Sequence, residues 1–239
     1  MKPLTLASWR LPLPRDTVLF DINETVLDLR SLGPKFAAAL GDPAVVSTWF
    51  AMLLHTSTVC ALTGVNTGFA DLAGVMLDRI AALHDRTISD DARAGILGGF
   101  ASLKPHADVK PALERLRSSG YRTVAFSNSS LNLVTKQIAN AGLAENFDAV
   151  VSVEETGSFK PDGKVYQFVA ERLDRPVGDL RLIATHDWDT HGAMVAGMHA
   201  AYIDRSGAPY HPLYRRPEIH ATTMGGVVEQ VIAADTGRQ

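Results

Sequence analysis

An α/β fold is expected: a Rossmann-like parallel sheet core with helices on both faces and an inserted helical cap. Three features point to it. A short apolar run, Thr17-Val18-Leu19-Phe20, ends abruptly in small polar residues; similar runs alternate with helical stretches from Val109 onward; and a stretch of helices alone separates the two regions. Strands that read as continuous apolar runs are buried on both faces, and alternation with helices places them parallel to one another.

After Thr17–Phe20, the expected strands are Arg122–Phe126, Ala149–Ser152, Leu180–Ala184 and Ala200–Ile203. Helices are expected between them at Val109–Ser119, Leu131–Ala141, Gly163–Leu173 and Trp188–Ala196. From Leu29 to Pro105 the alternation stops. Helices are expected there over Pro43–Leu62, Phe69–His84 and Ser89–Ala101, with Gly64 and Gly68 as punctuation and Ser89-Asp90-Asp91 as a helix start. The division that results is a catalytic core of residues 1–28 and 105–239, with residues 29–104 as a cap inserted after the first strand. Gly33-Pro34 and Lys104-Pro105 are the candidate hinges, and the tail from Asp235 to Gln239 is expected to fray.

The 239 residues suit one large domain, or a core with an insertion. With 46% hydrophobic and 21% charged residues the chain can bury a sizeable core, which excludes disordered and fibrous classes. A net charge of −3 carries no electrostatic footprint for nucleic acid or an anionic membrane. Cys60 is the single cysteine, so an intrachain disulfide and a cysteine metal cage are excluded. Pro3, Pro12 and Pro14 interrupt the N-terminus, and no run is read as approaching the roughly 20 apolar residues of a membrane span. A cytoplasmic protein is the expectation.

Four strand ends carry the candidate chemistry, where open α/β sheets place it. The first is Asp21-Ile22-Asn23-Glu24-Thr25. A carboxylate at a cleft mouth serves as nucleophile, base or metal ligand, and alone it would more often be a turn or helix cap. The second, Ser127-Asn128-Ser129-Ser130, offers hydroxyls and N–H groups to an anion, as ordinary capping residues also do. The third is Phe159-Lys160-Pro161-Asp162 with Tyr166: Lys160 is placed to neutralise charge near Asp21, while Tyr166, Val169 and Leu173 also form a core stripe. The fourth is Thr185-His186-Asp187-Trp188-Asp189, then Gly192-Ala193. His186 and His191 lack further spaced ligands, so no zinc site is expected.

These motifs, in this order, resemble the haloacid dehalogenase superfamily, and within it the 2-haloacid dehalogenase branch (type II, acting on L-2-haloacids). The resemblance runs from Thr17 to about Ile232. It implies metal-independent, cofactor-free hydrolysis of a small 2-haloacid. Asp21 would attack the carbon bearing halogen with inversion, and water would then hydrolyse the ester to a 2-hydroxy acid. It further implies that Thr25 and Ser127 hold carboxylate oxygens, that Asn128 shapes the substrate and halide pocket, and that Lys160 keeps Asp21 ionised. Tyr166 would bond nearby, and Asp189 would position the hydrolytic water. The magnesium-dependent phosphatases of the same superfamily are the alternative. They need an acid where this chain has Asn23 and another where it has Thr185. A catalytically silent small-acid binder is the third reading.

Two departures bear on the substrate. The branch carries a halide-clamping arginine beside a cap tryptophan; here Trp49 is followed by Phe50, and Ser31–Asp78 contains no arginine. Losing such a preorganised cation typically costs roughly 10²–10³ in rate. An aromatic pocket of Phe50, Trp49 and Trp188, with His55 or His186 donating, is the expected compensation. At the last motif His186 and Asp187 replace the usual asparagine and small residue. His186, with an ordinary pKa of about 6.5, is a candidate water-activating base or else a helix cap. Asn23 stands where the branch has an aromatic residue, on the pocket floor. The apolar cap, rich in Met52, Leu53 and Leu54, hints at a homodimer.

Overall fold

A computed structural model describes residues 15–236, so expectations about the first fourteen residues and the last three lie outside the described part. Among the described residues, eight strands and nine α-helices follow in chain order. β1 (Thr17–Phe20) comes first, and β2 (Leu27–Asp28) and β3 (Lys104–Pro105) flank α1 (Gly33–Leu40), α2 (Val45–Thr63), α3 (Phe69–Leu83) and α4 (Asp90–Gly99). The alternating part runs α5 (Val109–Ser118), β4 (Arg122–Ser127), α6 (Leu131–Asn140), β5 (Ala149–Ser152), α7 (Gly163–Leu173), β6 (Leu180–Ala184), α8 (Asp187–Val195), β7 (His199–Ile203), β8 (Ile219–Ala221) and α9 (Met224–Thr236).

Six strands form one parallel sheet in the order β5-β4-β1-β6-β7-β8. The four residues of β1 are all buried, as a central strand covered on both faces requires. β1 pairs with β4 on one side and β6 on the other, Phe20 lying level with Ala125 and Ile183. Chain order reverses across β1, which makes its carboxyl end the switch point where ligands bind in open α/β sheets. The α/β fold expected from the sequence is the one observed.

The covering helices are amphipathic. In α5 the buried residues Val109, Ala112, Leu113 and Leu116 recur at helical spacing. Ser130 caps α6 by accepting the Leu133 N–H, and Asp162 caps α7 by accepting that of Lys164.

Between β2 and β3 the chain is helical, as expected, and the two short strands pair antiparallel, Leu27 with Pro105 and Asp28 with Lys104. Phe36 of α1, Trp49 and Phe50 of α2, Leu77 of α3 and Phe100 are all buried in this segment. Gly64 closes α2 in the left-handed conformation at φ 72°, the role glycine fills without a Cβ penalty.

Several boundaries correct the sequence reading. Gly33-Pro34 opens α1, with Pro in the first turn, where no helix was expected. β8 and α9 were not anticipated, and Asp235, expected in a frayed tail, is 5% exposed and bonds Arg181 at 3.1 Å. α2 has 19 residues and a hydropathy of 1.5, which meets the length and composition of a membrane span, contrary to expectation. Its inward residues, Trp49 and Leu53 among them, pack inside the protein.

Candidate active site

Asp21 leaves the end of β1 with its N–H donating to Ile183 of β6 at 3.0 Å, which aims its carboxylate into the crevice between β4 and β6. Thr25 Oγ1 donates to Asp21 Oδ2 at 2.7 Å and accepts the Thr185 N–H at 3.0 Å, so the hydroxyl proton is committed to Asp21.

Lys160 arrives from the loop before α7 and is 1% exposed. Its ammonium donates to Asp21 Oδ1 at 3.2 Å, Asp189 Oδ2 at 2.9 Å and the Phe126 carbonyl at 3.0 Å. These three acceptors use its three protons. Nζ also lies 4.4 Å from the centre of the Phe126 ring. Burial opposes the ammonium charge, but Asp189 and Asp21 prevail and raise its pKa.

Asp189, in the first turn of α8, is wholly buried; Tyr166 Oη donates to its Oδ1 at 2.6 Å. Burial lifts the Asp189 carboxyl above its usual range against the pull of Lys160, and burial with Asp189 raises the Tyr166 phenol well above its own, leaving it a neutral donor. Gly192 makes room for this contact. A Cβ there would stand 2.8 Å from Tyr166 Oη and 2.7 Å from Pro161 Cβ.

His186 stands on the other flank of Asp21. Its Nε2 bonds Glu24 Oε2 at 2.8 Å. Its Nδ1 lies 3.3 Å from Asp21 Oδ2, misaligned, so that this nitrogen has no hydrogen-bond partner. Burial works against charge on the ring, but the carboxylates of Asp21 and Glu24 outweigh it, and the pKa is pushed up to about 10. The site thus favours the charged form of the ring. Burial would raise the Asp21 carboxyl, but Lys160, His186 and Thr25 hold it well below the usual carboxylate range. Trp188 stacks on His186 with ring centroids 5.1 Å apart. Asp187 turns away and accepts the His211 N–H at 3.2 Å.

The remaining candidates spread outward from this centre. Asn128 Oδ1 accepts the Lys160 N–H at 3.0 Å, and Ser127 Oγ accepts the Ser129 N–H at 3.1 Å. Asn23 bolts two loops together, donating to Ser129 Oγ at 3.2 Å and accepting from Gln137 at 3.0 Å. Trp49 spends its N–H on the Ala73 carbonyl at 3.0 Å and packs on Phe36 and Phe100. Phe50, 2% exposed, lies against His186 with ring centroids 6.4 Å apart. Glu24, Gln137 and Arg205, which donates to the Thr25 carbonyl at 3.2 Å, escaped the sequence reading. Glu24 alone had a signal, an acid three positions beyond Asp21.

The donor set does not fit a magnesium ion. Asp21 is flanked by the Lys160 ammonium and the His186 ring, and Asn23 and Thr185 supply no carboxylate. No group of three or more His, Cys, Asp or Glu among the described residues is arranged to hold a metal.

The haloacid dehalogenase-like hydrolase pattern matches residues 15–180. The (S)-2-haloacid dehalogenase H-109 of Pseudomonas putida is 26% identical over 215 residues, covering 89% of this chain and 96% of that protein. The (S)-2-haloacid dehalogenase 1 of Pseudomonas sp. strain CBS-3 is 27% identical over 198 residues, 82% of this chain and 87% of its own. The L-2-haloacid dehalogenase of Xanthobacter autotrophicus, solved with chloropropionic acid covalently bound, shares the fold at a TM-score of 0.84 and 22% identity, over 90% of this chain and 98% of that one. A pattern that takes in β1, the helical insertion and the sheet as far as the start of β6 settles the lineage: the chain belongs to the haloacid dehalogenase-like hydrolase family.

Proposed function

We propose that this protein hydrolyses short 2-haloalkanoic acids to 2-hydroxy acids through an ester on Asp21. The observation that carries the reading is the state of Asp21: a carboxylate 7% exposed, fixed by Thr25 and Lys160, and ionised with little water around it. Displacement at a saturated carbon needs such a nucleophile, held in line and poorly hydrated. One Asp21 oxygen bonds to the substrate carbon as the halide departs with the bonding pair. Water then cleaves the ester, returning the carboxylate and releasing the 2-hydroxy acid and a proton. Asn128 and Ser127 lie at the neighbouring strand end, suited to the substrate carboxylate. Asp189, held by Lys160 and Tyr166, is suited to ordering water. The relatives' names point to the same substrate class.

In this reading residues 29–104 act as a cap over residues 1–28 and 105–239, with the β2–β3 pair at its base. Leu62 at 83% and Val75 at 55% exposure leave apolar surface on α2 and α3 for a homodimer. The location we propose is the cytoplasm.

The experiment is halide release from a panel of short 2-haloacids, with EDTA present, for the wild type and Asp21→Asn. Release by the wild type alone supports the reading. No release from any panel member, with turnover of phosphate esters in magnesium, overturns it.

A further inference from the structure

Glu24 has the left-handed backbone, at φ 65°, that a glutamate rarely adopts. Two bonds hold it there: its N–H donates to the Leu27 carbonyl at 2.8 Å, and its own carbonyl is bonded by His106 Nε2 at 3.0 Å. The consequence is a carboxylate aimed at His186 Nε2, while the opposite ring nitrogen faces Asp21 and lacks a partner. A cleft of about 410 Å³ opens beside the pair, lined by Glu24, His106, Thr185, His186, Arg205 and Ser206.

Resting on the function proposed above, we infer that Glu24 and His186 form an acid–base pair that Asp21 itself switches. It is charged and inactive as a base while Asp21 is a carboxylate, and becomes the base that activates water once Asp21 is an ester. Esterification removes one of the two anions that hold the imidazolium. Glu24 retains the Nε2 proton, so the Nδ1 proton is the one lost to solvent, and the vacated lone pair faces the ester. The water oxygen then bonds to Asp21 Cγ, and one water proton passes to Nδ1. The bond from Cγ to the substrate oxygen breaks, and the second water proton ends on that oxygen. The carboxylate–imidazolium pair is thereby restored, and every atom is accounted for.

The surrounding charges agree with this assignment. Asp21 and Glu24 are the anions in contact with the ring, and Lys160 lies behind Asp21. Across the cleft, Arg205 is engaged by Asp108 at 2.8 Å, and burial, with Arg205, lowers the His106 pKa. Asp187 faces His211 instead, and Asp189 faces Lys160 and Tyr166. Phe50 and Trp188 supply uncharged walls, so esterification of Asp21 alters the ring's surroundings more than any other step. His186 is the catalytic residue here, touching the reacting carboxylate, and Glu24 is a positioning residue that fixes its tautomer.

The test is rapid-quench kinetics with 2-chloropropionate for the wild type, His186→Gln and Glu24→Gln, each checked for a cooperative melt. Removing a general base costs roughly 10²–10⁴. In His186→Gln we expect one equivalent of chloride per site in a burst, ester on Asp21 by mass spectrometry, and breakdown slowed at least ~100-fold. In Glu24→Gln, ester breakdown falls in kcat with KM held, and its rise with pH moves to lower pH because the ring has lost its second anion. If His186→Gln does not fold, the Glu24→Gln pH profile decides. Loss of the burst itself, unchanged breakdown, or an unmoved pH profile overturns the pair while leaving the function standing. A wild type that releases no chloride from any 2-haloacid overturns both.

Discussion

Phe50 and His186 are ring neighbours, their centroids 6.4 Å apart, one on helix α2 of the insertion and the other at the end of strand β6. An aromatic residue in place of the clamping arginine, and a histidine in place of an asparagine, therefore meet at one spot. The positive charge that the resemblance expects from the insertion is absent at position 50, and a histidine of the core faces that position.

Phe50→Arg tests that exchange. A guanidinium among Trp49, Phe100 and the His186 imidazolium would sit beside a like charge, in a site 2% exposed. Like charge disfavours the protonated ring. We expect a lower melting temperature and slower halide release, measured by differential scanning calorimetry and steady-state kinetics. Faster release would show that the position accepts a cation.

Lys160→Met removes the one ammonium that serves both Asp21 and Asp189. Breaking a buried pair by deleting one partner costs about 3–5 kcal/mol. At about 2–4 °C per kcal/mol for a chain of this size, Tm should fall by roughly 6–20 °C. Activity should vanish, because two uncompensated carboxylates so close cannot both stay ionised. Retained turnover would mean that another cation keeps Asp21 charged.

Much of this was legible in the sequence because it depends on local pattern. Thr17–Phe20 and Leu180–Ala184 are short, mainly apolar runs, the second carrying Arg181, and the strands follow them residue for residue. Asp21, Lys160 and Asp189 stand at strand ends, where topology alone brings them together. The spacing of Glu24 from Asp21 was visible but its part was not, because that depends on a positive φ held by His106, 82 positions away. Asn23 and Trp49 read as pocket residues, yet their polar atoms bond Gln137 and Ala73, partners that only tertiary structure reveals. β8 and α9 lie beyond the last chemical motif and carry weak patterns: three residues of strand, and a helix opening with Met224-Gly225-Gly226.

Gly192→Ala should unseat Tyr166. The added methyl would meet the phenol oxygen and Pro161, so the bond to Asp189 must lengthen or the helix shift. A hydrogen bond to a charged group is worth about 1.5–3 kcal/mol, and a loss of that order is expected from chemical denaturation. In a Tyr166→Phe background the same substitution should cost less, since part of the clash has gone. Additive losses would place the effect of Gly192 on Pro161 alone.

The contribution of His186 to stability has a definite sign with pH. Its folded pKa, about 10, lies above its ordinary value of 6.5, because Asp21 and Glu24 favour the charged ring more than burial opposes it. The folded state thus binds this proton more tightly than the unfolded chain does, and stability falls with pH wherever that difference operates. The stabilisation is complete below about pH 6.5 and drains as pH rises toward about 10. Asp21 acts in the opposite sense. Its carboxyl is held below the ordinary 3.8, so its contribution is present above that pH and is lost only as acid approaches its lowered folded value. The pair is therefore strongest in mildly acidic solution. Melting temperatures of the wild type and His186→Gln, taken at intervals from pH 6 to 10, isolate the histidine from every other titration. The gap between them should narrow steadily across that range, and a gap independent of pH would show that folding leaves the ring's pKa unshifted.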